Sequence, residues 1–124
     1  MNKLPISALV VSCNEGYLLE DCLKSLSFCD EIVGVNLESN DNTEALFKRY
    51  ANSYENLSRV PLVEEIHPLV IPLLKNDWII LIDPDERILE PLQSDIERTI
   101  RNAPNNACTY RVPMINFFKN RKLK

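Results

Sequence analysis

The sequence predicts a three-layer α/β/α sandwich built on a mostly parallel sheet. Three observations carry this. Short apolar runs alternate with stretches of helical periodicity, the order expected of βαβ units. The two strongest runs, "ISALVVS" (Ile6 to Ser12) and Ile79 to Ile82 within "DWIILID", are compact and mostly apolar, as suits strands buried in a parallel sheet. With 124 residues and 45% hydrophobic content, the chain is long enough for one domain with a substantial core, over residues 1–124.

The elements follow in order. "ISALVVS" (Ile6 to Ser12) is the first strand. After "CNEG", the stretch "YLLEDCLKSL" places Leu18, Leu19, Cys22, Leu23 and Leu26 at helical spacing. "EIVGVN" (Glu31 to Asn36) is the second strand. "LESNDNT" is a polar loop in which Asp41 or Asn42 caps the helix "TEALFKRYA". "LSRVPLV" (Leu57 to Val63) reads as a weaker strand, at an edge because of Pro61. The two prolines of "HPLVIPLLKN" leave that stretch open between a kinked helix and a helix starting after Pro72. "DWIILID" is the strongest strand. "EPLQSDIERTIRNA" is a helix with Pro91 in its first turn and Leu92, Ile96 and Ile100 on one face. "CTYRVPMINFF" alternates as a further strand.

Composition narrows the function. A net charge of −4 argues against broad nucleic-acid binding. No apolar run approaches the roughly 20 residues of a membrane-spanning helix, and "MNKLPIS" lacks the apolar stretch of a secretory leader. A cytoplasmic protein is expected. The tail "FFKNRKLK" is basic, through Lys119, Arg121, Lys122 and Lys124. It reads as a solvated end or, alternatively, as a peripheral contact with anionic lipid at the inner membrane face. Cys13, Cys22, Cys29 and Cys108 form no CxxC pair, and the single histidine, His67, stands beside Pro68, so reduced thiols are expected and a zinc site is not. The only glycines are Gly16 and Gly34, which excludes the dinucleotide-binding and P-loop glycine patterns.

In an open α/β sheet, ligands bind beyond the carboxyl ends of the strands. The first strand delivers Ser12, Asn14 and Glu15 there, the second Asn36, Glu38, Ser39 and Asp41, and the long apolar strand Asp83, Asp85 and Glu86. Asp83 and Asp85 lie two apart, so in extended geometry both carboxylates share a side, and Pro84 stiffens the chain between them. Two neighbouring carboxylates are costly unless protonated or matched by a cation. A hard divalent cation, Mg²⁺ or Mn²⁺, would match them and take further ligands from a diphosphate. The alternative is a solvated acidic turn that caps the next helix.

Three blocks together resemble the family 2 glycosyltransferases, which have the GT-A fold of nucleotide-diphospho-sugar transferases, and in particular the branch with lipopolysaccharide-core glucosyltransferases. They are "ISALVVSCNEGYLLEDCLKSL", "CDEIVGVNLESNDNTEALFKRY" with its Ser-x-Asp-x-Thr loop, and "NDWIILIDPDERI" with its Asp-x-Asp motif. The resemblance implies a Rossmann-like donor domain. It implies that Ser12, Asn14, Glu15, Asn36 and Asp83 hold the nucleotide sugar, that Asp85 is the metal ligand, and that the metal assists departure of the diphosphate. The implied partners are a donor, taken as a UDP-sugar, and a saccharide or lipid-linked acceptor whose hydroxyl receives the sugar in lipopolysaccharide or polysaccharide synthesis. No nucleic acid is implied. The sequence departs from the pattern at three places. Asn36 stands where the second strand usually ends in Asp, Glu38 stands where a glycine is common, and only Lys75 and Asn76 stand near the usual Arg-Asn feature. Family members continue into an acceptor half with the catalytic base, for which no residue here is a match. The chain is therefore expected to be the truncated, donor-binding N-terminal half, with no catalytic residue assigned. The rival expectations are a catalytically inactive GT-A-like interaction module and, more weakly, a metal-dependent phosphatase, whose Asp-x-Asp motif normally ends the first strand.

Overall fold

In a computed structural model, which describes residues 3–60, 65–102, 116–118 and 121–123, the apolar run at the start of the chain forms β1 (Leu4–Ser12). It is followed by α1 (Gly16–Ser25), β2 (Cys29–Leu37), α2 (Thr43–Tyr50), β3 (Ser53–Leu57), α3 (His67–Val70) with a 3-10 turn over Ile71–Leu73, β4 (Trp78–Ile82) and α4 (Glu90–Asn102). β5 (Asn116–Phe118) and β6 (Arg121–Leu123) form a separate antiparallel pair. The main sheet has the order β3-β2-β1-β4, and every pairing in it is parallel.

β1 lies between two neighbours and sends alternate side chains to opposite faces. Ile6, Ala8 and Val10 enter a core with Leu19, Cys22 and Leu23 of α1, Leu46 and Phe47 of α2 and Ile96 of α4. Leu9 and Val11 face the other way, with Val33, Val35 and Leu37, and are covered by Ile66 and Val70. Helices thus cover both faces, although among the described residues the second helical layer is only α3 and its 3-10 turn. A proline inside a central strand removes a ladder donor. Accordingly the β1–β2 register shifts between Leu4 and Ser7, around Pro5. Gly34 is required where α2 crosses β2, because a Cβ there would lie 2.4 Å from Cδ1 of Phe47.

The entry to β4 is tied to the far end of the sheet. The buried Ser7 hydroxyl donates to Glu31 (2.7 Å) and accepts from the backbone N–H (3.1 Å) and side-chain amide (3.2 Å) of Asn76. The Asn76 amide also donates to Asp30, which pairs with Lys75 at 3.3 Å. Lys75 and Asn76 therefore sit at the amino-terminal end of the parallel sheet, opposite the edge where ligands bind, and do not stand in for the Arg-Asn feature.

The third strand differs from expectation. It is formed by Ser53–Leu57, not by Leu57–Val63; residues 58–60 are not strand, and residues 61–63 lie outside the described residues. Asn52 sets the position. Its side chain accepts the N–H of Ile32 (2.7 Å) and its own N–H donates to the Ile32 carbonyl (2.8 Å), so parallel pairing begins with Ser53 opposite Val33. Of the alternating stretch Cys108–Phe118, all but residues 116–118 lie outside the described residues.

Candidate functional site

The order β3-β2-β1-β4 reverses direction between β1 and β4, the place in an open parallel sheet where a crevice forms at the carboxyl edge. Val10 pairs with Ile82, so Ser12 ends its strand beside the start of the acidic turn. Ser12 is opposite Asn36, and Asn36 is opposite Asn56, which lays a polar row along this edge. The Ser12 hydroxyl is buried and has no hydrogen-bond partner among the described residues. An unpaired buried hydroxyl costs free energy unless something else meets it.

The loops after β1 and β2 are fastened to each other. Asn14 adopts a left-handed conformation (φ 56°), which asparagine tolerates better than most residues. Its N–H donates to the Ser39 hydroxyl (2.9 Å), and its side-chain carbonyl accepts the N–H of Asn40 (2.6 Å). Asp41 joins two helix starts: one carboxylate oxygen accepts the N–H of Gly16 (2.8 Å), and the other accepts the N–H (3.0 Å) and hydroxyl (2.5 Å) of Thr43. Asn42 occupies the cap position of α2 without a capping side-chain bond, so Asp41 is the residue that caps. Desolvation opposes the Asp41 charge, but these hydrogen bonds outweigh it and hold the carboxyl below its usual pKa. The approach is too close for a side chain at Gly16, where a Cβ would lie 1.9 Å from the Asn42 side-chain oxygen.

The acidic stretch closes as a tight turn. Glu86 N–H donates to the Asp83 carbonyl (3.0 Å), and Asp83 N–H donates back to the Glu86 carboxylate (2.8 Å). Pro84 is buried beneath the turn while Asp83 and Asp85 are exposed. The Cys22 thiol of α1 donates to the Asp83 carbonyl at 3.5 Å, anchoring the turn to the helix layer. Burial, with the charges of Glu86, Asp83 and Asp85, pushes that thiol up to about 12, so it stays protonated. Carboxylate oxygens of Asp83, Asp85 and Glu86 all lie within 4.8 Å of one another. Burial and the charges of Asp85 and Asp83 raise the pKa of Glu15, which brings the first loop into the same acidic field. Glu86 is raised by burial and by the same two aspartates, against the lowering effect of the Asp83 N–H.

The structure therefore gathers Glu15, Asp83 and Asp85, and adds Glu86, which the site assignment from sequence had left out although it belongs to the same acidic stretch. Asn14 is in the same loop as Glu15 but uses its polar groups to hold the second loop. Asn36 is set back from the crevice, 6% exposed. Asp41, expected as a cap of the second helix, also holds the start of the first, and Asn56 enters as a supporting residue that no local signal marks. The donor set of the turn is oxygen only, with no nitrogen or sulfur ligand, and suits a hard cation such as Mg²⁺ or Mn²⁺.

No family model matches the chain. It is 43% identical over 51 residues to a lipopolysaccharide core biosynthesis glycosyltransferase, LpsC, of Rhizobium meliloti, covering 41% of this chain and 19% of that protein. It is 30% identical over 93 residues to an uncharacterized glycosyltransferase of Rickettsia bellii, covering 74% of this chain and 31% of that protein. The chain thus spans less than a third of the length of either relative. Among solved structures, TarS of S. aureus (residues 1–349) superposes with a TM-score of 0.66 at 19% identity, over 82% of this chain and 32% of that one. Glucosyl-3-phosphoglycerate synthase of Mycobacterium tuberculosis, in complex with Mn²⁺, UDP and glucosyl-3-phosphoglycerate, gives 0.59 at 20% identity, over 73% of this chain and 37% of that one. A mannosyltransferase of Pyrobaculum calidifontis, in complex with GDP-mannose and Mn²⁺, gives 0.64 at 17% identity, over 90% and 37%. The resemblance read from the sequence is matched in both sequence and fold: the chain has the fold of part of the GT-A glycosyltransferases and is similar in sequence to part of two proteins named glycosyltransferases.

Proposed function

We propose that the chain is the donor-binding part of an enzyme that transfers a sugar from a nucleotide diphosphate to an acceptor hydroxyl in lipopolysaccharide or surface-polysaccharide synthesis. The observation that carries this reading is the meeting of three carboxylates within 4.8 Å at the switch point of a GT-A sheet. Asp85, exposed at the tip of the turn, is the principal ligand for Mg²⁺ or Mn²⁺. Asp83, fixed by its backbone bonds to Glu86, faces the sugar and diphosphate side of the nucleotide. When bound, the cation supplies charge neutralisation for the departing diphosphate. The oxygen donor set fits such an ion, and the unpaired Ser12 hydroxyl at the same edge supplies a polar contact for the ligand. The first loop, held by Asn14 and Asp41, closes the nucleoside side.

Support for the donor comes from the superposed proteins whose structures contain UDP or GDP-mannose together with Mn²⁺. We take the donor to be a UDP-sugar, and assign the setting at the membrane through the relative named for lipopolysaccharide core biosynthesis. The parent protein then works on the cytoplasmic face, with the basic tail meeting anionic lipid and a saccharide or lipid-linked acceptor brought by the remaining sequence. The deciding experiment is a calorimetric titration of UDP, and of GDP in parallel, into the chain with and without Mn²⁺. Metal-dependent binding is expected, tighter for UDP. Absence of binding in both conditions would sink the proposal. Metal-dependent binding by a full-length parent that transfers nothing would instead favour an inactive binding module.

A further inference from the structure

Asn36 is the last residue but one of β2, at the candidate donor site, yet both ends of its amide are engaged inside the protein. Its carbonyl accepts the N–H of Ser39 (3.1 Å), and its NH₂ donates to the side-chain carbonyl of Asn56 on β3 (3.0 Å). Asn56 in turn donates its NH₂ to the Glu44 carboxylate (3.1 Å), which also accepts the Tyr54 hydroxyl (3.0 Å). An amide has one accepting and one donating end, so its orientation is set by what it meets. A backbone N–H can only donate, and an ionised carboxylate can only accept. The hydrogen bonds from Asn56 and Tyr54 hold Glu44 in that ionised form. The line from the Ser39 N–H through Asn36 and Asn56 to Glu44 therefore has a single polarity. Beyond Ser39 it continues to the first loop, because the Ser39 hydroxyl accepts the N–H of Asn14, next to Glu15.

We infer that Asn36 is a positioning residue rather than a reader of the nucleoside: with Asn56 it transmits the fixed polarity of Glu44 to the loop that presents Asn14 and Glu15. Glu44 is then what requires an amide at position 36. A carboxylate there would accept at both ends, Asn56 would have to turn over, and its carbonyl would face the carboxylate of Glu44. The side chain at 36 is 6% exposed, which leaves little surface for a ligand. This rests on the donor-site reading for its effect on nucleotide binding, but the coupling itself does not.

The test is a double-mutant cycle with Asn36→Asp, Glu44→Gln and both together, read by thermal melting and by UDP titration with Mn²⁺. Asn36→Asp should lower Tm by about 4 °C, the equivalent of one lost hydrogen bond in a domain of this size, and weaken UDP binding roughly fivefold, about 1 kcal/mol. Glu44→Gln alone keeps an accepting oxygen and should change Tm by no more than about 1 °C. In the Asn36→Asp background, Glu44→Gln lets Asn56 turn over and should restore both readouts, with the preference for UDP over GDP unchanged throughout. Additive effects, or a changed base preference without rescue, would overturn the inference. Should Asn36→Asp not fold, Glu44→Lys, a donor only, must destabilise the Asn36 protein and rescue Asn36→Asp; failure to do either is equally decisive. If wild type binds no nucleotide, the donor-site reading falls while the melting cycle still decides the coupling.

Discussion

Asp85→Asn separates a charge role from a packing role. Asp85 is exposed, so its replacement by a near-isosteric amide removes no core contact. What it removes is repulsion. Two unit charges 4.8 Å apart, the greatest separation within the acidic group, repel by about 0.9 kcal/mol in bulk water, and salt at physiological strength reduces this by about half. Deleting the pairs with Asp83 and Glu86 therefore stabilises the metal-free protein by roughly 1 kcal/mol, a rise in Tm of about 4 °C. Mn²⁺ at a hundredfold excess over Kd should stabilise wild type by about 2.7 kcal/mol, or about 10 °C. The variant should lose most of that gain. Differential scanning calorimetry of both proteins with and without Mn²⁺ measures the crossing. If the variant melted below wild type without metal, or kept the full Mn²⁺ shift, Asp85 would be a structural residue of the turn and not a cation ligand.

Two further outcomes follow from the geometry. Gly34→Ala drives a methyl group into the Phe47 ring and should cost about 1–3 kcal/mol in urea unfolding; an unchanged midpoint would show that α2 shifts freely on β2. The pH dependence of stability should have its maximum on the acid side of neutrality in the absence of metal. Folding raises the pKa of Glu15 and Glu86 above 4.5, chiefly by burial and then by the neighbouring aspartates, so the folded state holds their protons longer and stability falls as pH rises from 4.5 through their folded values. Asp41 and Asp30, held below 3.8, act oppositely: their contribution is complete above 3.8 and is lost as pH falls through their folded values. Urea midpoints measured with and without Mn²⁺ check this, and Mn²⁺ should move the maximum toward neutral pH; a metal-free profile that climbs steadily from 4.5 to neutrality would refute it.

The parts of the fold that were legible in the sequence are those whose residues signal locally. Ile79 to Ile82 and Ala8 to Val11 are apolar at successive positions, and the α1 and α4 faces recur at helical spacing. β3 was not legible because it is an edge strand whose residues, "SYENL", are mostly exposed or half-buried. Only Tyr54, stacked on Phe47 with ring centroids 6.2 Å apart, packs into the main core, so no apolar pattern announces it. The nearby apolar residues Leu57 and Val60 instead pack on the opposite face. The acidic turn was legible for the same local reason as β4: its groups are adjacent in sequence. The fastening of the two loops was not, since Asn14 meets Ser39 and Gly16 meets Asp41 across 25 positions. Nor was the role of Asn56, which lies on the strand that the pattern misplaces and meets Asn36 only through that strand's pairing with β2.

The parallel sheet has a consequence for the order of events in folding. The acidic turn is placed by contacts that join distant parts of the described chain: Ile6 pairs with Trp78, and Cys22 meets Asp83 across 61 positions. The two fastened loops need a closure of only 25 positions. Longer closures cost more chain entropy, and contacts that depend on them mature late. The crevice should therefore be completed after the β1–β2 unit has formed, on the native side of the rate-limiting barrier. An ion bound at the turn will then act on the escape from the native state: it will slow unfolding and leave the rate of folding almost unchanged.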